Sequence, residues 1–199
     1  MSLLEWLRPT GPTASPEPPR SRLTPFPAVG AALVVQWVTS DAELFELAPG
    51  TPPPLTPEKV NAWRREDGHP LFYHEDGGRE PCGYVELNPF SFGSGNWWIG
   101  HCLVAPAARA RGVGSRMLAQ VLDLAFLHHN ACSVSLVVFP ANLGAIRCYR
   151  RAGFAPHGEV FRQSPDRPDG YHLFYMSVDR RTYTGRRHGA VAQDLPVMR

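Results

Sequence analysis

Long apolar runs are missing from this sequence. The longest, such as Ala31 to Val35, falls far short of the ~20 residues that a membrane-spanning helix requires. The first residues, Met1 to Arg8, carry Glu5 inside a short apolar stretch and have no hydrophobic segment typical of a secretory signal. We therefore expect a cytoplasmic protein without a membrane span.

The sequence also has no strong net charge of either sign and no cysteine spacing typical of a metal site. The 20 Lys and Arg residues nearly balance the 18 Asp and Glu residues, for a formal net charge of +2. This balance argues against nucleic acid or an anionic membrane as a partner. The cysteines, Cys82, Cys102, Cys132 and Cys148, contain no CxxC pair. We expect reduced thiols and no metal site.

What is present suffices for one globular domain. The chain has 199 residues, of which 43% are hydrophobic, enough to form a core. Seven of the 21 prolines lie between Pro9 and Pro27, so the sequence predicts a flexible leader over residues 1–29. The domain is expected over 30–180, followed by an Arg/Gly-rich tail over 181–199.

Hydrophobic periodicity predicts a mixed α/β domain. The expected order is β-α-α-β-β-β-α-β-α-β-β, beginning with a strand over Ala31 to Thr39. The fourth strand is expected over Asn96 to Val104, a long amphipathic helix after it, and a buried strand over Ser133 to Phe139. A strand, helix and strand in succession imply a parallel pair within the sheet.

The segment from Val104 to Ser115 is the most informative stretch. It joins a strand to the N-terminus of the long helix, where free N–H groups and the helix dipole favour an anion. Gly112 and Gly114 let the backbone approach a ligand closely, and Arg109 and Arg111 add positive charge suited to a diphosphate. The segment lacks the Walker lysine and the third glycine of a dinucleotide fingerprint. An ordinary glycine-rich helix start with solvated arginines is the alternative.

Two motifs in this region give a family resemblance. Val104, Pro106, Arg109, Gly112 and Gly114 follow the pattern V-x-P-x-x-R-x-x-G-x-G/A. A second pattern, N-x-x-A-x-x-x-Y-x-x-x-G-F, is met by Asn142, Ala145, Tyr149, Gly153 and Phe154. In this order and spacing the sequence resembles the GCN5-related N-acetyltransferase (GNAT) superfamily over about residues 31–180.

The resemblance implies a fold and a reaction. The fold would be a mixed, mostly antiparallel sheet flanked by helices, with its parallel fourth and fifth strands splayed for acyl-CoA. The reaction would be transfer of an acetyl group from acetyl-CoA to an amine by direct attack, with Tyr149 protonating the departing thiolate. Asn142 would contact the pantetheine or cap its helix. The remaining cofactor contacts would come from Cys102, Val104, Arg109, Ala110, Arg111, Gly112, Val113, Gly114 and Ser115.

The sequence departs from the family at the general base. Many members carry a Glu on the fourth strand where this chain has Trp98, and the strand holds no carboxylate at all. Glu86, on the third strand, is the first candidate and would act through a water molecule, and an amine of low pKa would need no base, so the base is unassigned at this point. His101 is the second candidate, because an imidazole is a common general base. Strict alternation, however, places Trp98, Gly100, Cys102 and Val104 on one face and turns His101 away from it.

The acceptor and the oligomeric state are open at this point. Small amines, an aminoglycoside-like compound and a protein N-terminus all fit the expected reaction. Because the fourth strand lacks a carboxylate, a non-catalytic acyl-CoA-binding or regulatory module is the alternative function. An enzyme that transfers a longer acyl group is a third hypothesis.

Overall fold

The computed structural model describes residues 21–90, 95–164 and 167–193 of the chain. The strands and helices have the following bounds: β1 Arg22–Pro25, α1 Ala31–Trp37, α2 Asp41–Leu47, α3 Pro57–Ala62, β2 His69–His74, β3 Gly83–Pro89, β4 Asn96–Val104, α4 Val113–Asp123, β5 Ser133–Val138, α5 Leu143–Ala152, β6 Ala155–Ser164, β7 Arg167–Asp179 and α6 Arg180–Gln193. A π-helical turn, Leu124–His128, extends α4. The predicted mixed α/β architecture is confirmed.

The described residues contain seven strands, which form one sheet in the order β1-β2-β3-β4-β5-β7-β6. Neighbouring strands are antiparallel except β4 and β5, which are parallel. The larger hydrophobic cluster packs α4 and α5 on one face of the sheet and includes Met117, Leu118 and Leu136. The smaller cluster packs α1 and α3 on the other face, with Val34, Val60 and Tyr84 at its centre.

The parallel pair opens along its length, as the family resemblance implies. β4 pairs with β5 only from Asn96 to Trp98, opposite Ser133 to Ser135. The remainder of β4, toward Val104, stays paired with β3 on its other side. Backbone groups of β4 beyond Trp98 therefore face a gap instead of a neighbouring strand, where an extended ligand can pair with them.

The prediction of a strand over Ala31 to Thr39 is wrong, because this segment begins with the helix α1. Ala31, Val34 and Trp37 are buried at a three-residue spacing while the positions between them are more exposed. This is the burial pattern of a short helix against a sheet. Packing on the smaller cluster thus overrides the strand propensity of the local Val pair.

Both ends of the domain extend beyond the predicted bounds. β1 pairs with β2 from Arg22 to Pro25, so the leader predicted over 1–29 is wrong for residues 22–29. The helix α6 falls in the predicted tail over 181–199, where Tyr183 is buried and stacks on Phe126 at 4.6 Å. Residues 1–20 and 194–199 lie outside the described part of the chain.

Neither a membrane-spanning helix nor a metal-binding cluster occurs within the described residues. No helix there is long and apolar enough to cross a membrane. Within the same ranges, no group of three or more His, Cys, Asp or Glu side chains is arranged to hold a metal ion.

Candidate active site

A cavity of about 730 Å³ lies where β4 ends, between α2, α4 and α5. All the residues that the sequence predicted as cofactor contacts line this cavity, except Arg111. Its lining consists of Thr39, Glu43, Glu46, Leu47, Cys102, Leu103, Val104, Ala108, Arg109, Ala110, Gly112, Val113, Gly114, Ser115, Leu118, Asn142, Gly144, Ala145, Arg147, Cys148, Tyr149 and Arg151.

The loop before α4 is shaped to hold an anion. Ala110 and Gly112 adopt positive φ angles of 60° and 78°, and such left-handed turns direct successive N–H groups toward one point. Gly112 is the N-cap of α4, whose first-turn N–H groups have no partner within the helix. A Cβ atom on Gly114 would lie 3.2 Å from the Cys148 sulfur, so the absence of a side chain lets α4 approach α5 closely. The loop therefore has the geometry of an anion-binding site.

The side chains of the two arginines of this loop contact other groups of the protein. The Arg109 guanidinium donates to the carbonyl oxygens of Val104 (2.9 Å) and Trp37 (2.8 Å) and pairs with Glu43 at 2.6 Å. It therefore ties β4 to the α1–α2 segment while it lines the cavity, and the expected contact of its charge with a diphosphate stays a prediction. The Arg111 side chain lies 3.8 Å from Glu75 and is largely exposed, away from the cavity.

Tyr149 reaches the cavity from α5. It is 9% exposed and packs edge-on against Phe154, with 6.0 Å between the ring centroids. Burial, with the Cys102 and Cys148 thiols beside it, raises the pKa of Tyr149 well above its ordinary value. Burial also raises the pKa of Cys102 to about 12. Both groups therefore stay protonated at neutral pH, and Tyr149 retains a proton to donate.

Asn142 has the capping role that was one of its two predicted roles. Its side-chain oxygen accepts from the Ala145 N–H at 3.0 Å, at the start of α5. Its amide nitrogen donates to Glu46 on α2 at 3.0 Å. Asn142 thus joins α2 and α5 while it lines the cavity between them.

Sequence reasoning missed the cationic side of the cavity. Arg147 and Arg151 line it from α5, four residues apart and hence on one helix face. Their four-residue spacing could have predicted that both line the cavity, because they flank Tyr149 in the second motif. The α2 residues Glu43 and Glu46, which also line the cavity, were missed as well.

The fourth strand contains a bulge that strict alternation did not anticipate. Val85 pairs with Cys102 and Leu87 with Ile99, so both Gly100 and His101 lie opposite Glu86. Two residues facing one define a β-bulge, which shifts the side-chain alternation by one position. The prediction that Trp98, Gly100, Cys102 and Val104 share one face is therefore wrong.

The bulge brings His101 to Glu86. Nδ1 of His101 lies 3.1 Å from Oε1 of Glu86, as a close contact rather than an aligned hydrogen bond, and it has no other polar partner. The Glu86 side chain is 3% exposed and also accepts from the Tyr84 hydroxyl at 2.6 Å. Trp63 stacks on the His101 ring with 4.1 Å between centroids. Gly100 lies against the other carboxylate oxygen, since a Cβ there would be 2.7 Å from Glu86 Oε2.

Comparison with known proteins identifies related sequences and folds. A family model described as "Acetyltransferase (GNAT) family" matches residues 34–154, which is more than half of the chain. An aminoglycoside N(6')-acetyltransferase type 1 of Klebsiella pneumoniae is 31% identical over 114 residues, which cover 52% of this chain and 55% of that protein. A kanamycin resistance protein of Rhizobium radiobacter is 30% identical over 106 residues, covering 48% of this chain and 93% of that protein. The chain spans about half the length of the first of these curated relatives.

Solved structures share the fold at lower identity. A crystal structure of an aminoglycoside acetyltransferase in complex with coenzyme A superposes with a TM-score of 0.64 at 22% identity, covering 84% of this chain and 99% of that one. A spermidine N-acetyltransferase from Vibrio cholerae, in complex with CoA and spermine, gives a TM-score of 0.68 at 14% identity, covering 83% and 98%.

Proposed function

The chain belongs to the GNAT family of acetyltransferases, and on that premise we propose that it transfers an acetyl group from acetyl-CoA to a primary amine. The observation that carries the proposal is the cavity at the open end of the β4–β5 pair. It joins an anion-binding helix start at one end to a buried, protonated tyrosine at the other.

Each part of the cavity has a role in this reaction. Acetyl-CoA, when bound, supplies an activated thioester. The N–H groups from Arg109 to Ser115 hold the diphosphate, and the unpaired backbone of β4 near Cys102 and Val104 orients the pantetheine arm. Arg147 and Arg151 add positive charge beside the phosphates. Tyr149 donates its proton to the departing sulfur.

The amine must also lose a proton, and we assign Glu86 to this process. It is the buried carboxylate that the bulge sets against β4, on the sheet face opposite Tyr149. The proton of the amine is thus accepted on the Glu86 face of the sheet, and Tyr149 donates its proton on the other face. The thioester lies along β4, between the two groups. With 3% exposure, Glu86 acts through an intervening group and does not touch the amine.

The acceptor we propose is a small molecule with several ammonium groups. The named activities of the relatives support this class, since aminoglycosides and spermidine are both polyamines. Glu46, an exposed carboxylate on the cavity wall, supplies negative charge that attracts such a molecule.

Thermal unfolding with acetyl-CoA and an assay of CoA release test the proposal in two steps. Acetyl-CoA at 100 times its dissociation constant should stabilise the protein by about 2.7 kcal/mol. CoA release is then measured with kanamycin, spermidine and a peptide with a free N-terminus. Release with kanamycin or spermidine supports the proposed acceptor, and release with the peptide alone contradicts it.

The same experiment addresses the two alternative functions. Stabilisation by acetyl-CoA without release on any amine would indicate a non-catalytic binding module. That alternative was motivated by the missing carboxylate on β4, a role we assign to Glu86. Faster release from a longer acyl-CoA than from acetyl-CoA would indicate a different acyl donor.

A further inference from the structure

We propose that His101 is the group that takes the proton from the acceptor amine, with Glu86 as the positioning residue behind it. The inference rests on the proposed acetyl transfer and assigns to a side chain the role that a water molecule would otherwise have. It is carried by the bulge, which turns His101 onto the same sheet face as Glu86.

The first step is the difference in accessibility between the two groups. The Glu86 side chain is 3% exposed, whereas the His101 side chain is 22% exposed. Glu86 Oε1 is engaged by the Tyr84 hydroxyl, and the space at Gly100 is filled by Oε2. The carboxylate is thus enclosed by its own strand and β4, while the imidazole reaches outward from the same cluster.

The second step is the orientation of the imidazole. Its Nδ1 atom is buried, lies against Glu86 Oε1 and has no other polar partner. A proton on Nδ1 would satisfy both groups, because a buried carboxylate requires a donor and a buried nitrogen requires a partner. Trp63, stacked on the ring at an interplanar angle of 17°, holds the plane of the imidazole. This tautomer leaves the lone pair on Nε2, where a proton can be accepted.

The third step is the proton balance. The acceptor ammonium releases two protons as its nitrogen forms the amide bond and the carbon–sulfur bond breaks. His101 Nε2 receives one and passes it to solvent. Tyr149 gives its proton to the departing sulfur, and the second proton from the nitrogen restores the Tyr149 hydroxyl. Glu86 keeps its negative charge throughout and stabilises the imidazolium, as a carboxylate does behind a catalytic histidine.

The experiment combines a structural readout without ligand and a kinetic readout. Nitrogen-15 NMR of the full chain, free of acetyl-CoA, should find the His101 proton on Nδ1 in the wild type, and should find that preference lost in Glu86→Gln. CoA release is then measured for His101→Gln and His101→Ala with kanamycin and spermidine. We expect kcat to fall about 100-fold in both, with an unchanged KM for acetyl-CoA, and added imidazole to restore part of the activity of His101→Ala.

A second His–Glu pair provides the matched control. His172 on β7 lies 3.6 Å from Glu159 on β6, and both side chains are mostly exposed. His172→Gln removes the same chemical group and should leave kcat within twofold of the wild type.

The outcomes separate the two proposals. A wild-type protein that releases no CoA with any amine would overturn the proposed function and this assignment with it. An active wild type would leave the proposed function standing. In that case, a proton on Nε2, full activity of His101→Gln, or a His101→Ala variant that is folded yet not rescued by imidazole would each overturn the role of His101 alone.

Discussion

Replacing Gly112 by valine separates the two contributions of this residue, which are backbone conformation and access for the ligand. Gly112 has a φ of 78° and lines the cavity. A side chain in this left-handed region costs about 1–2 kcal/mol. In a domain of this size, such a loss lowers Tm by about 2–8 °C. A Cβ atom at this position lies 3.0 Å from the movable end of Arg116, so packing adds little to the cost of folding.

Gly77→Val is the control for the backbone cost. Gly77 has a φ of 72° in the turn between β2 and β3, and a Cβ atom there has no neighbour within 4 Å. The two variants should therefore lose similar stability for the same conformational reason. They should differ in the ligand response, because only Gly112 lies where the first-turn N–H groups of α4 meet the proposed diphosphate.

The assay is thermal unfolding of each variant with and without saturating acetyl-CoA. The wild type and Gly77→Val should both be stabilised by about 2.7 kcal/mol at 100 times the dissociation constant. Gly112→Val should show no shift. Equal stabilisation of Gly112→Val and Gly77→Val would refute the reasoning, since the loop would then not approach the ligand closely.

Two further variants test side chains of the cavity. Tyr149→Phe keeps the ring packed against Phe154 but removes the donated proton. The rate of CoA release should therefore fall about 100-fold, while the thermal shift with acetyl-CoA stays unchanged. An unaltered rate would show that Tyr149 is not the general acid. Arg109→Ala leaves the carbonyl oxygens of Val104 and Trp37 without their donor, which should cost about 1–3 kcal/mol in denaturant unfolding. Arg111→Ala, at the surface, should change stability by less than about 0.5 kcal/mol, and equal losses in the two arginine variants would contradict the structural role of Arg109.

The features that the sequence predicted well depend on local patterns. α4 and α5 carry long amphipathic repeats, and α5 begins at an Asn cap and ends at Gly153, so their positions follow from the residues themselves. The loop before α4 is similarly local. Its role in anion binding follows from the strand, the glycines and the helix start in succession. The motif spacing could not show where the Arg109 side chain goes, because its partners Trp37 and Glu43 are distant in the sequence.

α1 was misread because seven residues are too few to establish a period. Leu33, Val34 and Val35 form an apolar run that suits a buried strand as well as a helix. The choice was made by tertiary packing, since the segment lies over the sheet face that carries Phe72 and Tyr84 and not at a free sheet edge. The strand at the edge next to β2 is instead β1. The sequence did not predict this strand, because the residues around it are rich in proline.

The position of the bulge in β4 was the consequential feature that alternation could not supply. A bulge depends on the partner strand as well as on its own residues, and one inserted residue reverses every side chain beyond it. Gly100 was the residue in the sequence that could have indicated the bulge, because glycine within a strand often marks a bulge or a close approach of another group. Here both apply, since Glu86 Oε2 occupies the space of a side chain at position 100. The missing side chain of Gly100 thus makes room on β4 for the carboxylate of Glu86 from β3.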